Sequence, residues 1–316
     1  MSVLPVIVNP AARGGRGAPP RESLERAAAA EGVTVEWWET TAPGHATELA
    51  AKAARDRVPI LAAWGGDGTY NEAARGLRDT ETALLLLPGG TTSVLVYELG
   101  VPRRPDEALR AQLRGERRAM SLARTDRNQL FLLMLSAGPD SLILERLRPG
   151  LKLHGGKFGI GVQAVVEFAR ARLPRFTVHI DGSRHDASWC IVGNSRCYAG
   201  PYPGTPGADP FAEGLEAVVL TRHGRRAVIP FFFAIPSGRH LTMRGVDRLP
   251  AHEVALVGAE DIPYQLDGDP AGHLPVTARA TAETLWVLVP RPFPQAGQRQ
   301  EKGTRRAEQG SEKVQT

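Results

Sequence analysis

The segment Gly65-Gly66-Asp67-Gly68-Thr69-Tyr70-Asn71-Glu72 sets one carboxylate among three glycines, between an apolar run and a helical pattern. Glycine lets a backbone approach a phosphate closely, and the N-terminus of the helix that follows offers unpaired N–H groups and a positive dipole end. A carboxylate in such a place serves chemistry by holding Mg²⁺ or a hydroxyl that is to be phosphorylated; the plainer alternative is that Asp67 caps the helix. No Lys-Ser/Thr pair follows, so this is not a Walker loop, and the glycine spacing is not that of the dinucleotide fingerprint. Two more turns share the character. Gly89-Gly90-Thr91-Thr92-Ser93 follows the run "LLLLP", and "VNPAARGGRG" ends the first apolar run with Arg13 and Arg16 able to pair with phosphate oxygens. Each turn has an ordinary reading as a tight turn or cap, and three at successive strand ends argue jointly for phosphate.

The elements that must position these turns are legible from periodicity. Through residue 121, strand patterns ("LPVIVNP", "VTVEWWET", "VPILAAW", "TALLLLPGG") alternate with helix patterns ("RESLERAAAAEG", "HATELAAKAARD", "TYNEAARGL", "SVLVYELG"). Continuous apolar strands separated by helices predict a parallel sheet covered on both faces, with ligands at the strand ends. Residues 122–290 read instead as short strands ("NQLFLLMLSAG", "RFTVHIDG", "SWCIVGNS", "LEAVVL", "HEVALVGAE", "IPYQLDG", "TLWVLVP"), interrupted by a helix at "KFGIGVQAVVEFARARL" and another near Val228 to Ile235. That texture predicts a β-sandwich. Residues 291–316, rich in Gln, Glu and Gly, are expected to be a disordered basic tail.

The chain of 316 residues has a formal net charge of +5, three units of which come from that tail. Its two cysteines, Cys190 and Cys197, match neither a disulfide framework nor a zinc site and read as free thiols in a reducing compartment. The start "MSVLPVIVNP" reads as a first strand rather than a signal peptide, and no apolar run reaches the ~20 residues of a membrane span. In "TRHGRRAVIPFFFAIPSGRH", arginines precede three phenylalanines; this suits either an interfacial helix on an anionic membrane or a core helix with a solvated basic start.

"VNPAARGGRG", "TTAPGHATELA", "GGDGTYNEAARGL" and "PGGTTSVLVYELGVP", in this order, resemble the diacylglycerol kinase catalytic family, which includes soluble bacterial diacylglycerol and lipid kinases and has sphingosine and ceramide kinases as relatives. "VGNSRCYAG", "PGADPFAEGLEAVVL" and "YQLDGDP" extend the resemblance over about residues 3 to 290. It implies an N-terminal α/β domain like that of NAD kinases and phosphofructokinases (1–121), binding nucleotide, and a C-terminal β-sandwich (122–290) taking lipid and metal. The activity implied is ATP- and Mg²⁺-dependent phosphorylation of a hydroxyl on a membrane lipid such as diacylglycerol, by a cytoplasmic protein peripheral at the inner face of the membrane. A homodimer is compatible with it, and no nucleic-acid partner is expected.

The resemblance also implies roles. Nucleotide contacts fall on Asn9, Pro10, Ala11, Ala12, Arg13, Thr40, Gly66, Asp67, Gly68, Thr69, Tyr70, Asn71, Glu72 and Thr91. The general base falls on Asp269, with Asp267 beside it and Asp67 organising metal and phosphate. A structural Mg²⁺ maps to the backbone of Pro210, the carboxylate of Glu213 and the backbone of Leu215. Five residues depart from the family pattern: Asp269 stands where Glu is usual, Ser93-Val94 replace an Asn-Asp pair, Glu213 replaces Asp, and Arg13 replaces Gly. A catalytically impaired nucleotide- or lipid-binding member, or an NAD kinase-like enzyme, are the alternatives these residues leave.

Overall fold

The computed structural model describes residues 2–10, 19–90, 93–146 and 173–293. The chain forms two compact units, and it crosses from one to the other more than once. Unit 1 holds Met1–Leu122 together with Pro210–Ala212 and Ala282–Pro294; unit 2 holds Ala123–Asp209 and Glu213–Thr281. The expected basic tail lies outside the described residues from residue 294 onward, as does the expected helix at 157–173 except for Leu173, which is not helical.

In unit 1, β1 (Ser2–Val8), β2 (Val33–Glu39), β3 (Ile60–Gly65) and β4 (Ala83–Pro88) form a parallel sheet in the order β2-β1-β3-β4. The fully buried pattern of β4 has a simple cause, since alternate residues face different helix layers. Leu85 and Leu87 join Leu24, Ala27 and Ala28 of α1 (Arg21–Ala30) and Leu109 of α5 (Pro105–Leu113) in one core. On α2 (His45–Arg55) and α3 (Asp67–Leu77), alanines keep the facing surfaces small. The two helices meet so closely at Gly76 that a Cβ there would lie 2.4 Å from the Thr47 carbonyl oxygen.

The far side of β4 is closed by two different partners. The end of β18 (Val276–Val289) pairs with it in parallel at Val287–Leu84. Two residues on, the buried side chain of Gln112 in α5 takes the place of a strand: its Oε1 accepts Leu86 N–H at 2.9 Å and its Nε2 donates to Leu86 O at 2.8 Å. The segment Pro210–Ala212 joins unit 1 through local contacts with β5 (Glu116–Thr125). Ser121 N–H donates to Pro210 O at 2.7 Å, and the Arg118 guanidinium lies 4.1 Å from the Phe211 ring centroid.

Unit 2 is the β-sandwich that the strand spacing predicts. One sheet runs β14 (Val246–Ala251), β13 (Leu215–Leu220), β10 (Trp189–Gly193), β7 (Met134–Ala137), β16 (Pro263–Leu266) and β17 (Asp269–His273). In the other, the first part of β18 pairs with β15 (Glu253–Val257), then β8 (Phe176–Ile180) and β9 (Ser183–Ala187) follow, all antiparallel. Alternate residues from both sheets, among them Leu135, Val178, Cys190, Val192, Val219, Val254 and Tyr264, fill the space between them. The outer face of β10 and β13 is apolar as well, because α7 (Arg225–Ala234) packs on it through Val228 and Phe231 against Trp189, Ile191 and Val218.

The element reading needs correction in several places. "NQLFLLMLSAG" is not one strand but β6 (Leu130–Phe131) and β7, broken by the loop at Leu132 and Leu133. The helices α5 and α6 (Pro139–Arg146) and the strands β5, β9, β11 (Cys197–Tyr198), β12 (Tyr202–Pro203), β14 and β17 are additional. Most carry charges or prolines that dilute the apolar alternation, as in "SRHDA" of β9 and "VDRLPA" of β14.

Candidate functional site

In unit 1 the ends of β1, β3 and β4 are tied to one another. The carbonyl of Gly65, where β3 ends, accepts N–H groups from both Gly89 (2.7 Å) and Gly90 (2.9 Å), so the second glycine turn folds back onto the first. Side chains are excluded there by distance. A Cβ on Gly65 would lie 2.4 Å from Thr69 Oγ1, one on Gly89 2.8 Å from Trp64 Cε2, and one on Gly90 3.1 Å from Gly66 Cα. The first turn is joined to the same place by Asn9, whose Nδ2 donates to Thr69 Oγ1 at 3.2 Å; Thr40 N–H donates to Val8 O at 2.9 Å. Pro10 is exposed at the turn after β1. Ala11, Ala12, Arg13 and Thr91 lie outside the described residues.

The Asp67 carboxylate reaches across to the second turn. Its Oδ2 accepts Val94 N–H at 2.8 Å and its Oδ1 accepts Leu95 N–H at 3.0 Å, capping α4 (Val94–Glu98) from another helix. α4 has no side-chain cap of its own. Tyr70 is fully buried and its hydroxyl donates to Gly65 O (3.1 Å) and Leu87 O (2.9 Å), bracing the ends of β3 and β4. Burial, and then the nearby Asp67 charge, push the phenol well above its ordinary range, so it stays a donor. Glu72 does for α2 what Asp67 does for α4: its Oε2 accepts Ala46 N–H at 3.2 Å, at a helix whose N-cap is Gly44. Asn71 is buried beside it in sequence. The acidic and aromatic side chains of this motif are thus occupied in fixing the loops, and with the Gly89, Gly90, Val94 and Leu95 N–H groups also committed, the backbone at the start of α3 is the surface that phosphate oxygens can use.

In unit 2, Asp267-Gly268 is the two-residue turn of the β16–β17 hairpin, with Leu266 paired to Asp269. Both turn residues have positive φ (52° and 92°), the conformation a type I′ turn requires and Asp-Gly supplies. The Asp267 carboxylate accepts three backbone N–H groups, from Leu132 (2.8 Å), Leu133 (2.9 Å) and Met134 (3.0 Å). Asn194 grips the same loop by its carbonyls: Nδ2 donates to Leu132 O at 2.9 Å and N–H to Leu133 O at 2.8 Å. The hairpin turn is thereby locked, and Asp269, the first residue of β17, stands exposed just beyond it. Glu213 is exposed, Leu215 begins β13, and the Pro210 carbonyl carries the Ser121 hydrogen bond. Among the described residues, no group of three or more His, Cys, Asp or Glu gathers in metal-binding geometry.

The sequence reading missed Asp140. It lies buried in the first turn of α6 and accepts the Tyr198 hydroxyl at 2.9 Å; burial raises its carboxyl above the ordinary range, and burial followed by the Asp140 charge raises the Tyr198 phenol. A carboxylate directly after a strand and Gly138-Pro139 was the available signal. Tyr198 is therefore committed to packing and to Asp140, while Tyr202 is exposed. Cys190 is buried in the sandwich core, where desolvation pushes its thiol upward and keeps it protonated.

Two family descriptions match the chain in tandem: "Diacylglycerol kinase catalytic domain" over residues 3–125 and "YegS C-terminal NAD kinase beta sandwich-like domain" over residues 134–289. The chain belongs to the diacylglycerol kinase catalytic-domain family. It is a kinase, and its relatives are named accordingly. A diacylglycerol kinase of Mycobacterium tuberculosis is 28% identical over 251 residues, 77% of this chain and 80% of that one. The lipid kinase YegS of Escherichia coli K12 is 31% identical over 172 residues, 52% of this chain and 58% of that one. A crystal structure from Bacillus anthracis superposes with a TM-score of 0.74 at 22% identity, covering 93% of this chain and 96% of that one. A structure described as a diacylglycerol kinase of that organism gives 0.67 at 19%, covering 93% and 98%. Both support the fold that this family shares. Among the described residues, no helix is long and apolar enough to cross a membrane.

Proposed function

We propose that this kinase transfers the γ-phosphate of ATP to a hydroxyl of a membrane lipid such as diacylglycerol, at the cytoplasmic face of the membrane. The observation that carries the reading is the glycine cradle of unit 1, where Gly65 O binds the N–H groups of both Gly89 and Gly90 and Asp67 fixes the start of α4. A phosphate chain needs such a rigid, side-chain-free wall, and phosphoryl transfer is governed by positioning and charge stabilisation. Asn9 and Pro10, Thr40, and the Gly66–Glu72 segment are assigned to the nucleotide, with Ala11, Ala12, Arg13 and Thr91 completing the set. Asp269 is assigned as base: its carboxylate takes the lipid hydroxyl proton as the new O–P bond forms, and ADP departs with the electron pair of the broken bond. Mg²⁺, when bound, supplies neutralising charge at the phosphate oxygens. A structural Mg²⁺ would be held by the backbone oxygens of Pro210 and Leu215 and the carboxylate of Glu213, an all-oxygen donor set suited to a hard cation.

The test is incubation of the purified protein with γ-labelled ATP, Mg²⁺ and mixed lipid vesicles. Label is expected in a lipid and lost in Asp269→Ala; measurable ATP binding with no labelled lipid across a broad panel defeats the proposal. A second reading, a family member of weakened catalysis, is favoured by Val94, whose buried apolar side chain stands where the family carries a carboxylate. Val94→Asp separates the two. A faster enzyme means that the absent carboxylate limits turnover, and an unchanged or slower one means that this chain works without it.

A further inference from the structure

We propose that the outer face of α7 is a docking surface for an anionic lipid bilayer. The inner face of α7 is already committed: Ala227, Val228 and Phe231 are buried, with Phe231 5.2 Å from Trp189 between ring centroids. The outward face of such a helix is ordinarily polar. Here it carries Ile229 (38% exposed) and Phe233 (70%), with Phe232 (38%) at its edge, stacked on Trp189 at 6.1 Å and in edge-to-face contact with Phe233 at 5.5 Å. The inner face is that of a core helix, and the outer face carries the exposed apolar side chains that an interfacial helix would use.

Charge identifies the occupant. Residues 217–246 contain no Asp or Glu and five arginines: Arg222, Arg225, Arg226, Arg239 and Arg244. Arg225 and Arg226 open α7, at the positive end of its dipole, where cations disfavour the helix. Helix stability therefore does not explain them, and Arg226 makes no ion pair among the described residues. Exposed aromatic rings beside arginines match the boundary between acyl chains and lipid phosphates. A second copy of the chain is a poorer occupant, since a two-fold interface would set these arginines against their own counterparts.

The inference rests on the reading of a membrane lipid as substrate, but its test needs no turnover. The full chain is sedimented with vesicles of phosphatidylcholine containing about one third phosphatidylglycerol, and with phosphatidylcholine alone, at low and high salt. Preferential, salt-sensitive binding to the anionic vesicles is expected. Phe233→Gln should weaken it about tenfold, and Arg225→Gln with Arg226→Gln about 25-fold, at about fivefold per arginine. Both variants alter exposed residues and should keep the thermal unfolding of the parent. Equal binding to the two vesicle types, or variants that bind as the parent does, overturns the proposal. So does a concentration-dependent dimer abolished by Phe233→Gln while vesicle binding persists. Vesicle binding without lipid phosphorylation would instead count against the kinase reading alone.

Discussion

The Asp67 carboxylate accepts the N–H of Val94 at 2.8 Å, so the only acid of the first glycine turn holds the start of the helix that follows the second. Asp67 is itself the first residue of α3, where a negative charge meets the positive end of the helix dipole. One side chain thus serves two helix N-termini. The described glycines of the turns between them are positioned by that carboxylate and by Gly65 O.

Asp67→Ala leaves two N–H groups of α4 uncapped and should cost about 1–2 kcal/mol, the usual range for a lost helix cap. Asp67→Asn keeps one of the two acceptors and should cost less than the alanine variant. Urea unfolding of the two variants checks the order. Nucleotide affinity should fall in both, more in the alanine variant; equal stability of all three proteins would mean that the cap contributes nothing.

Asp267 and Asp269 are two residues apart and should behave oppositely. Asp267 receives three backbone N–H groups, and each hydrogen bond to a charged group contributes about 1.5–3 kcal/mol. Asp267→Ala should therefore destabilise the protein by several kcal/mol and expose the Leu132–Met134 amides to hydrogen exchange. Asp269→Ala, at an exposed position, should change stability by less than about 0.5 kcal/mol while abolishing transfer. An Asp269→Ala enzyme with full activity would move the base elsewhere.

The glycine turns, the strands that end in them and the change to short strands were legible because each follows from local periodicity or from a residue with special backbone freedom. Gly65, Gly89 and Gly90 are glycines because neighbours stand within 3.1 Å of where a Cβ would be. The tasks of Asp67, Glu72 and Gln112 were not legible, because their partners lie 27, 26 and 26 residues away and no spacing rule links them. Asp267 illustrates the division within one residue: its place in a two-residue turn can be read from Asp-Gly, whereas its grip on the loop at Leu132 depends on a neighbour 135 positions distant. Asp140 escaped notice because a buried acid requires a partner, and Tyr198 is 58 residues away.

His240 gives unit 2 a pH dependence. It is fully buried, its ring lies 5.4 Å from Phe231, and Nε2 hydrogen-bonds Gly204 O at 3.1 Å, which the neutral ring does as a donor. Burial lowers its pKa below the ordinary 6.5. The unfolded chain then binds more protons than the folded one as pH drops, so the contribution is intact above about 6.5. It is lost progressively below that, levelling off once the folded-state pKa is passed. The slope is at most about 1.4 kcal/mol per pH unit. His240→Gln retains a donor without titrating, and its unfolding free energy should vary less with pH over this window; parallel curves for the two proteins would exclude His240 as the cause.

Gly89→Ala tests whether the cradle is a matter of backbone proximity. The added Cβ would stand 2.8 Å from Cε2 and 2.9 Å from Cδ2 of Trp64, a buried indole with no room to recede, and 3.0 Å from Gly65 N. Relief has to come from the turn, which must lift away from β3 and stretch the Gly89 and Gly90 hydrogen bonds to Gly65 O. Overpacking of this kind costs about 1–3 kcal/mol. Displacing this wall of the cradle should lower ATP affinity by about tenfold or more, a loss beyond what the stability change alone would produce at temperatures where the variant is fully folded. Isothermal titration of ATP well below the melting transition reads that loss directly. Unchanged affinity in a destabilised Gly89→Ala protein would show that the second glycine turn packs against β3 without touching the phosphates.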